Sequence, residues 1–324
     1  MPPLDPLRRW RQLGEKPDYA GLLSFAGLPW TEDPGDLSGV DAAIVGAPTD
    51  DLVSDRPGAR LAPRAIRAAG CPPGPHLDAG VDALAELRVV DFGDAACVPA
   101  DPVASHEAIA ATVGEVLDAG ALPVVLGGDH GISTATIAAA GQRRGPVGLV
   151  HLDAHADTGE VVFGVRRSHG TPMRRLVEAG HVAGERYVQL GLRGYWPGPE
   201  VFAWQGERGI RHHLMSELRE RGLRRVLDDA LAALGDGPVW LSVDIDVVEP
   251  GALGGGTGTP EPGGMAVADL LETCRVVASS VDLCGAEVVE VIPTAVGSAD
   301  TAAVIADRVV REVLTGLALR RQAP

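Results

Sequence analysis

The chain is nearly devoid of lysine: of 28 basic residues in 324, Lys16 is the single one. A Schiff-base lysine or a lysine-bearing phosphate loop therefore has almost no residue to use. Thiols are few and unpatterned. Cys71, Cys97, Cys274 and Cys284 form no CxxC pair and no metal-ligand spacing. They read as reduced, with Cys274 and Cys284 as small core residues. No apolar run approaches 18 residues, so no membrane span is expected. The N-terminal stretch MPPLDPLRRWRQLGEKPD has no apolar segment of the signal-peptide kind, and a cytoplasmic location is expected. Positive charge is scarce as well. Against 44 acidic residues, the 28 basic ones leave a net charge of −16. That balance disfavours nucleic acid and anionic membrane as partners and suits a small cationic ligand.

Apolar residues, by contrast, make up 45% of the chain, enough for a substantial core. Residues 1–38 are rich in Pro, Gly and charge, and read as an extension packing on the outside of a single domain, 39–324. Within that domain, short Val-rich runs alternate with helix-length segments. The runs are 40–48, 87–94, 122–129, 147–155, 187–194, 238–246 and 285–293; the helix candidates are 103–119, 223–235, 266–280 and 299–320, the last with Asp300 as N-cap. Runs with little polar alternation suit strands buried on both faces. Alternating strand and helix units predict a three-layer α/β/α fold around a mainly parallel sheet, with ligands gathered beyond the carboxyl ends of the strands.

The polar residues that could do chemistry sit at those ends. His130 follows one run in GGDHGIS; Asp153, His155 and Asp157 end VGLVHLDAHAD; Asp244 and Asp246 end LSVDID; and Glu290 follows EVV. In an extended chain, residues two apart face one way, so Asp153, His155 and Asp157 can converge, as can Asp244 and Asp246. Five carboxylates and two imidazoles in one cleft need a counter-charge, which divalent metal supplies. The set is too large for one tetrahedral zinc and has no thiolate. It suits a pair of harder ions, Mn²⁺ most simply. His151, one step earlier in the apolar run, reads as a hydrogen-bonded core histidine. His212 and His213 read as surface-loop residues with no role.

At these residues the sequence resembles the ureohydrolase family, which comprises arginase, agmatinase and their relatives. The matching stretches are GAPTD and RPGARLAPRAIR within 46–67, GGDHGIS at 127–133, DAHAD at 153–157, SHGTP at 168–172, SVDIDVVEP and GTGTPEPGG within 242–264, and EVVEVIP at 287–293. They occur in the family's order and span from about residue 40 to the C-terminus. The resemblance implies two Mn²⁺ ions per subunit, held by His130, Asp153, His155, Asp157, Asp244 and Asp246, with Asp153 and Asp244 bridging. It implies hydrolysis of a guanidino compound to urea and an amine by a hydroxide between the ions, with Asp157 accepting its hydrogen bond. His169 matches the family's proton shuttle, Glu290 the carboxylate that pairs with the guanidinium, and Glu287 a second acidic position on the substrate side. A homo-oligomer, trimer or hexamer, is expected by the same analogy.

Three positions depart from the family pattern: Gly131 where Ser is common, Glu249 where Asp is usual, and Gly254 with Gly255 where an Ala-Pro pair is usual. They keep open a weakly active or non-catalytic metal-binding relative. The loop 158–168 has no Asn, whereas arginases use Asn and Ser there to hold an amino-acid tail; the resemblance tilts to agmatinase-like enzymes. Glu160 is placed to meet a substrate amine, Arg166 or Arg167 a carboxylate, and Trp196 or Trp204 to wall the pocket. Guanidine itself and guanidino acids stay open as substrates. A metal-dependent deacetylase, with a single zinc and paired histidines, is the rival of similar fold; it needs fewer carboxylates than are present.

Overall fold

The computed structural model describes residues 20–70 and 74–323. Lys16, Cys71 and the first half of the N-terminal extension lie outside them. Eight strands run in chain order: β1 (Ala42–Gly46), β2 (Val89–Asp94), β3 (Leu122–Leu126), β4 (Val147–Leu152), β5 (Val182–Leu192), β6 (Arg211–Leu214), β7 (Pro238–Asp244) and β8 (Asp282–Val289). They form one sheet in the order β2-β1-β3-β8-β7-β4-β5-β6, and every neighbouring pair is parallel.

Side-chain alternation along each strand feeds two cores. Val124 and Leu126, Val150 and Leu152, and Val239, Leu241 and Val243 face the helices Val267–Ser280 and Thr301–Gln322. Val125, Leu149 and Trp240 face the opposite layer, built on Pro102–Asp118 and Ser133–Arg144. Both faces are thus covered, and the fold is the three-layer α/β/α arrangement that the buried Val-rich runs imply. Asp300 caps the last helix by accepting the Ala303 N–H at 2.8 Å, and Cys274 and Cys284 are buried. Trp240 is fully buried opposite Gly285 on β8. A Cβ on Gly285 would lie 2.0 Å from the indole, so the glycine is what admits the ring.

Three features differ from the sequence expectation. Residues 20–38 do more than wrap the outside: Phe25 and Leu37 are fully buried, and residues 29–31 exchange backbone hydrogen bonds with Asp91 on β2. An edge strand leaves its backbone groups unpaired, and this segment covers them. β5 begins at Val182, because Gly184 lets the chain pass against the Arg208 carbonyl, where a Cβ would stand 2.2 Å away. His212 and His213 are on β6, the opposite edge strand, and not on a loop. IRHHL carries only Ile210 and Leu214 as apolar residues, with no alternation to mark a strand; its pairing with β5 is a tertiary effect. There His213 Nδ1 lies 3.0 Å from Glu217, and the His212 ring packs on Phe202.

Candidate metal centre

The four central neighbours β3, β8, β7 and β4 end side by side, and their carboxyl ends deliver the cluster. His130 follows β3, residues 153–157 follow β4, Asp244 closes β7, and Glu290 follows β8. The acids converge, although not as extended strand. β4 stops at Leu152, and the chain turns so that Asp157 sits at φ 49°. Asp244 and Asp246 are brought together by the single turn Ile245–Val247. Backbone N–H groups aim the carboxylates: His155 N–H donates to Asp153, Ala154 N–H to Asp246 at 3.0 Å, and Asp246 N–H to Asp244 at 2.9 Å. Such side-chain-to-backbone bonds replace strand pairing where a strand ends. Glu290 is likewise left-handed, at φ 60°. Placing a non-glycine residue there costs of order 1–3 kcal/mol, and such strain collects at functional sites.

Two groups result. His130 Nδ1 stands 3.1 Å from Asp153, 3.0 Å from Asp157 and 3.1 Å from Asp244. His155 Nδ1 stands 2.8 Å from Asp246 and 3.5 Å from Asp153, so Asp153 belongs to both groups. All six side chains are buried except His155, which is one-fifth exposed.

The network behind His130 decides which nitrogen is free. Glu287 accepts hydroxyl hydrogen bonds from Ser133 at 2.6 Å, Thr136 at 2.5 Å and Ser242 at 2.8 Å. With its proton on Glu287, the Ser242 oxygen accepts from His130 Nε2–H at 2.9 Å. Nδ1 then carries a lone pair, and that atom is buried with no hydrogen-bond partner although three carboxylates surround it. A lone pair facing carboxylate oxygens is repulsive without a cation between them. The donor set fits divalent metal on this ground. Burial opposes a charged imidazole, yet Asp153, Asp157 and Asp244 hold His130 well above its usual value. His155 is likewise pulled up to about 12, against burial, by Asp246 and Asp153. Burial, then Asp246 and Asp153, push Asp244 well above the usual carboxylate range.

His151 lies against the cluster but is spoken for. Gln189, oriented by donating to the Ala156 carbonyl, also donates to His151 Nδ1 at 3.0 Å. Nε2 therefore carries the hydrogen and donates it to Asp153 at 2.8 Å. His151 is a hydrogen-bonded core residue that orients a carboxylate. Sequence reasoning missed Ser242, Tyr187 and Gln189, which hold His130 and His151; no local pattern distinguishes them from other strand residues.

Beside the cluster lies a cavity of about 250 Å³ lined by Ser54, His155, Asp157, Val162, Phe163, His169, Gly170, Trp196, Asp244 and Thr259. His169 Nδ1 is 3.0 Å from Glu290 and its Nε2 is 2.7 Å from the Ser54 hydroxyl. Burial works against a charged His169, but Glu290 outweighs it and raises the imidazole to about 9. Glu290 Oε1 also accepts the His130 N–H at 2.8 Å, while Oε2 is buried without a partner.

Three residues expected on the substrate side are elsewhere. Both oxygens of Glu287 are occupied by hydroxyls behind His130. Glu160 and Arg166 are each 60% exposed and turn to one another at 3.6 Å, with Arg174 and Glu178 completing the ionic group. Opposite charges six residues apart on one loop neutralise each other more readily than either turns inward. Of the two tryptophans, Trp196 walls the cavity, whereas Trp204 is in the core under the Arg174 guanidinium, 4.4 Å from its ring.

The model of the arginase family matches residues 40–316. The chain belongs to the arginase family. It is 37% identical to the guanidinobutyrase of Pseudomonas aeruginosa over 86% of this chain and 87% of that protein. It is also 37% identical to the mitochondrial agmatinase of Gallus gallus, over 87% and 82% of the two chains. The solved structure of proclavaminate amidinohydrolase from Streptomyces clavuligerus superposes with a TM-score of 0.87 at 34% identity, covering 94% of this chain and all of that one.

Against this arginase-family background the three departures acquire local reasons. A Cβ on Gly131 would lie 2.6 Å from Asp129 Oδ1 and from Leu52 Cδ1, so no side chain fits there as the loop stands. Glu249 accepts the backbone N–H groups of Gly263 and Gly264, both at 2.8 Å, and so fastens that loop. The glycine stretch 254–256 is tied down by Arg56, which donates to the Gly255 carbonyl at 3.0 Å and the Thr257 carbonyl at 3.2 Å. Among the described residues no helix is long and apolar enough to cross a membrane.

Proposed function

We propose that this arginase-family chain hydrolyses a guanidino compound to urea and an amine at a binuclear manganese site. His130, Asp153, His155, Asp157, Asp244 and Asp246 would hold the ions. The oxygen-rich set with two imidazoles and no thiolate favours Mn²⁺ among divalent metals. When bound, the ions would neutralise the carboxylates and supply ionised water near neutral pH.

One observation carries the reading: Glu290 Oε2, 1% exposed and without a partner, beside this cluster. A guanidinium fork matches a carboxylate by paired hydrogen bonds, and an unpaired buried acceptor is a standing cost that such a ligand removes. Glu290 Oε1 is anchored by the His130 N–H, so a guanidinium paired with this carboxylate is also oriented against the cluster. His169 is held between Glu290 and Ser54, and its raised value keeps a proton on the ring near neutral pH. Collapse to urea and amine requires a proton at the departing nitrogen, and His169, on the cavity wall, would supply it. Asp157, which with Asp244 lines the cavity, would accept a hydrogen bond from the attacking hydroxide.

The same reading takes residues 39–324 as one catalytic unit and the protein as a cytoplasmic homo-oligomer acting on a small cationic substrate. A monomeric native mass would contradict the oligomer. The deciding experiment is urea release from Mn²⁺-loaded protein with agmatine, guanidinobutyrate, guanidinopropionate, arginine and guanidine, with metal counted in the same sample. Urea with about two metals per chain is the expected result. Bound metal with no urea from any guanidino compound would return the chain to the non-catalytic class.

A further inference from the structure

We infer that Gln205 is a positioning residue of the metal centre, acting on the half that His130 occupies. Through two hydrogen-bonded branches it holds the oxygens of Asp153 and Asp157 that face His130. This rests on the metal binding proposed above; Gln205 itself is not among the residues lining the cavity beside the cluster.

Gln205 is fully buried on the helix Pro199–Glu207, and its amide nitrogen makes two bonds. Nε2 donates to the Thr158 hydroxyl oxygen at 2.8 Å and to Gln189 Oε1 at 2.8 Å. Both acceptors are fully buried, and they belong to separate segments: Thr158 follows Asp157, and Gln189 is on β5. Gln205 Oε1 is buried without a partner. An unpaired buried oxygen is destabilising, and an apolar side chain of equal size would avoid it. Space filling therefore does not account for an amide at this position; the two donations do.

The Gln189 branch ends on Asp153. With Oε1 taken by Gln205, the Gln189 amide nitrogen points to the Ala156 carbonyl at 2.6 Å and to His151 Nδ1 at 3.0 Å. His151 Nε2 then donates to Asp153 Oδ2 at 2.8 Å, and Oδ2 is the oxygen 3.1 Å from His130 Nδ1. The Thr158 branch ends on Asp157, whose left-handed backbone needs support from its surroundings. Anchoring of the next side chain by Gln205 supplies it, together with Met173 N–H, which donates to the Asp157 carbonyl at 3.1 Å. Asp157 Oδ2 is likewise 3.0 Å from His130 Nδ1.

The His155 half is aimed by other means. Asp153 Oδ1, the oxygen toward His155, accepts the His155 N–H, and Asp246 accepts the Ala154 N–H at 3.0 Å. Both donors are backbone groups of the stretch 153–157 itself, so this half keeps its aim whatever stands at position 205. One buried amide thus orders two carboxylate oxygens on the His130 side of the cluster. Side chains that orient ligands in this way govern metal affinity.

The test places Gln205→Met, which keeps length and volume but not the two bonds, in two backgrounds. His155→Ala leaves the His130 half, and His130→Ala leaves the His155 half. Mn²⁺ is titrated into each by calorimetry, with the parent variant beside it. Gln205→Met should weaken binding at the His130 half roughly tenfold and leave the His155 half within about threefold, as suits an outer hydrogen bond acting through intermediates. Equal weakening of both halves, which a general loosening of the fold would give, would overturn the inference. So would no weakening of either. If Gln205→Met does not fold, Thr158→Val cuts the Asp157 branch alone and must show the same asymmetry in smaller measure. Parent variants that bind no Mn²⁺ would defeat the metal assignment and the inference with it. The asymmetry in a protein that releases no urea would uphold the role of Gln205 and reject hydrolysis alone.

Discussion

Glu287 separates two accounts of the site, one in which it contacts substrate and one in which it holds His130 through Ser242. The structure places it 2% exposed, with three hydroxyl donors on its two oxygens. In Glu287→Ala, Ser133, Thr136 and Ser242 each lose a buried acceptor. An unsatisfied buried group costs about 1–3 kcal/mol, and some relief comes from hydroxyl rotation, so a net loss of roughly 3–5 kcal/mol is expected. Glu287→Gln keeps the shape and one carbonyl oxygen, and should cost about 1 kcal/mol. Its effect should appear at the metal. With a weaker acceptor behind it, Ser242 no longer fixes the His130 tautomer. Losses of outer hydrogen bonds of this kind weaken metal affinity roughly 10–100-fold. Urea denaturation of the metal-free protein reads the first quantity, and Mn²⁺ titration reads the second. KM for the best substrate at saturating metal should stay within about twofold, since no binding contact has been removed. A KM that rises tenfold in Glu287→Gln, with metal affinity and stability unchanged, would refute the assignment and restore Glu287 to the substrate side.

Asp153→Ala should lose metal and activity together, because Asp153 is shared by the His130 and His155 groups; retention of both metals by elemental analysis would contradict the ligand assignment. His169→Ala should keep its metal and lower kcat by about 10²–10⁴, the usual range for a general acid. Metal binding should release protons and tighten as pH rises. His155 is raised to about 12, above its ordinary 6.5, so the metal-free site holds that proton throughout the neutral range and metal must displace it. For folding of the metal-free chain the sign is the same linkage: this group's contribution is complete below its ordinary value and fades as pH climbs toward 12. Calorimetry in buffers of different ionisation enthalpy reads the released protons; none released would contradict the protonated cluster. Gly285→Ala should destabilise by about 1–3 kcal/mol through overpacking against Trp240, visible as a lowered denaturation midpoint with the metal site intact.

What the sequence by itself determined was set by local signals. Val-rich runs of strand length announce strands with both faces buried, and Asp300 before a 22-residue amphipathic stretch announces a capped helix. The polar residues that end those runs, from His130 to Glu290, stand out because nothing in a buried strand calls for them. Tertiary structure decided the rest. IRHHL becomes strand β6 only because β5 offers an edge to pair with. Asp153 and Asp157 meet through a left-handed turn that alternation along a strand does not describe. Glu287 and Glu290 lie three residues apart, yet one points to three hydroxyls and the other keeps a buried oxygen without a partner. The loop charges Glu160 and Arg166, legible as candidate tail contacts, cancel one another once the chain folds. A residue's type and spacing report what it can do; its partners, drawn from distant strands, decide which of those things it does.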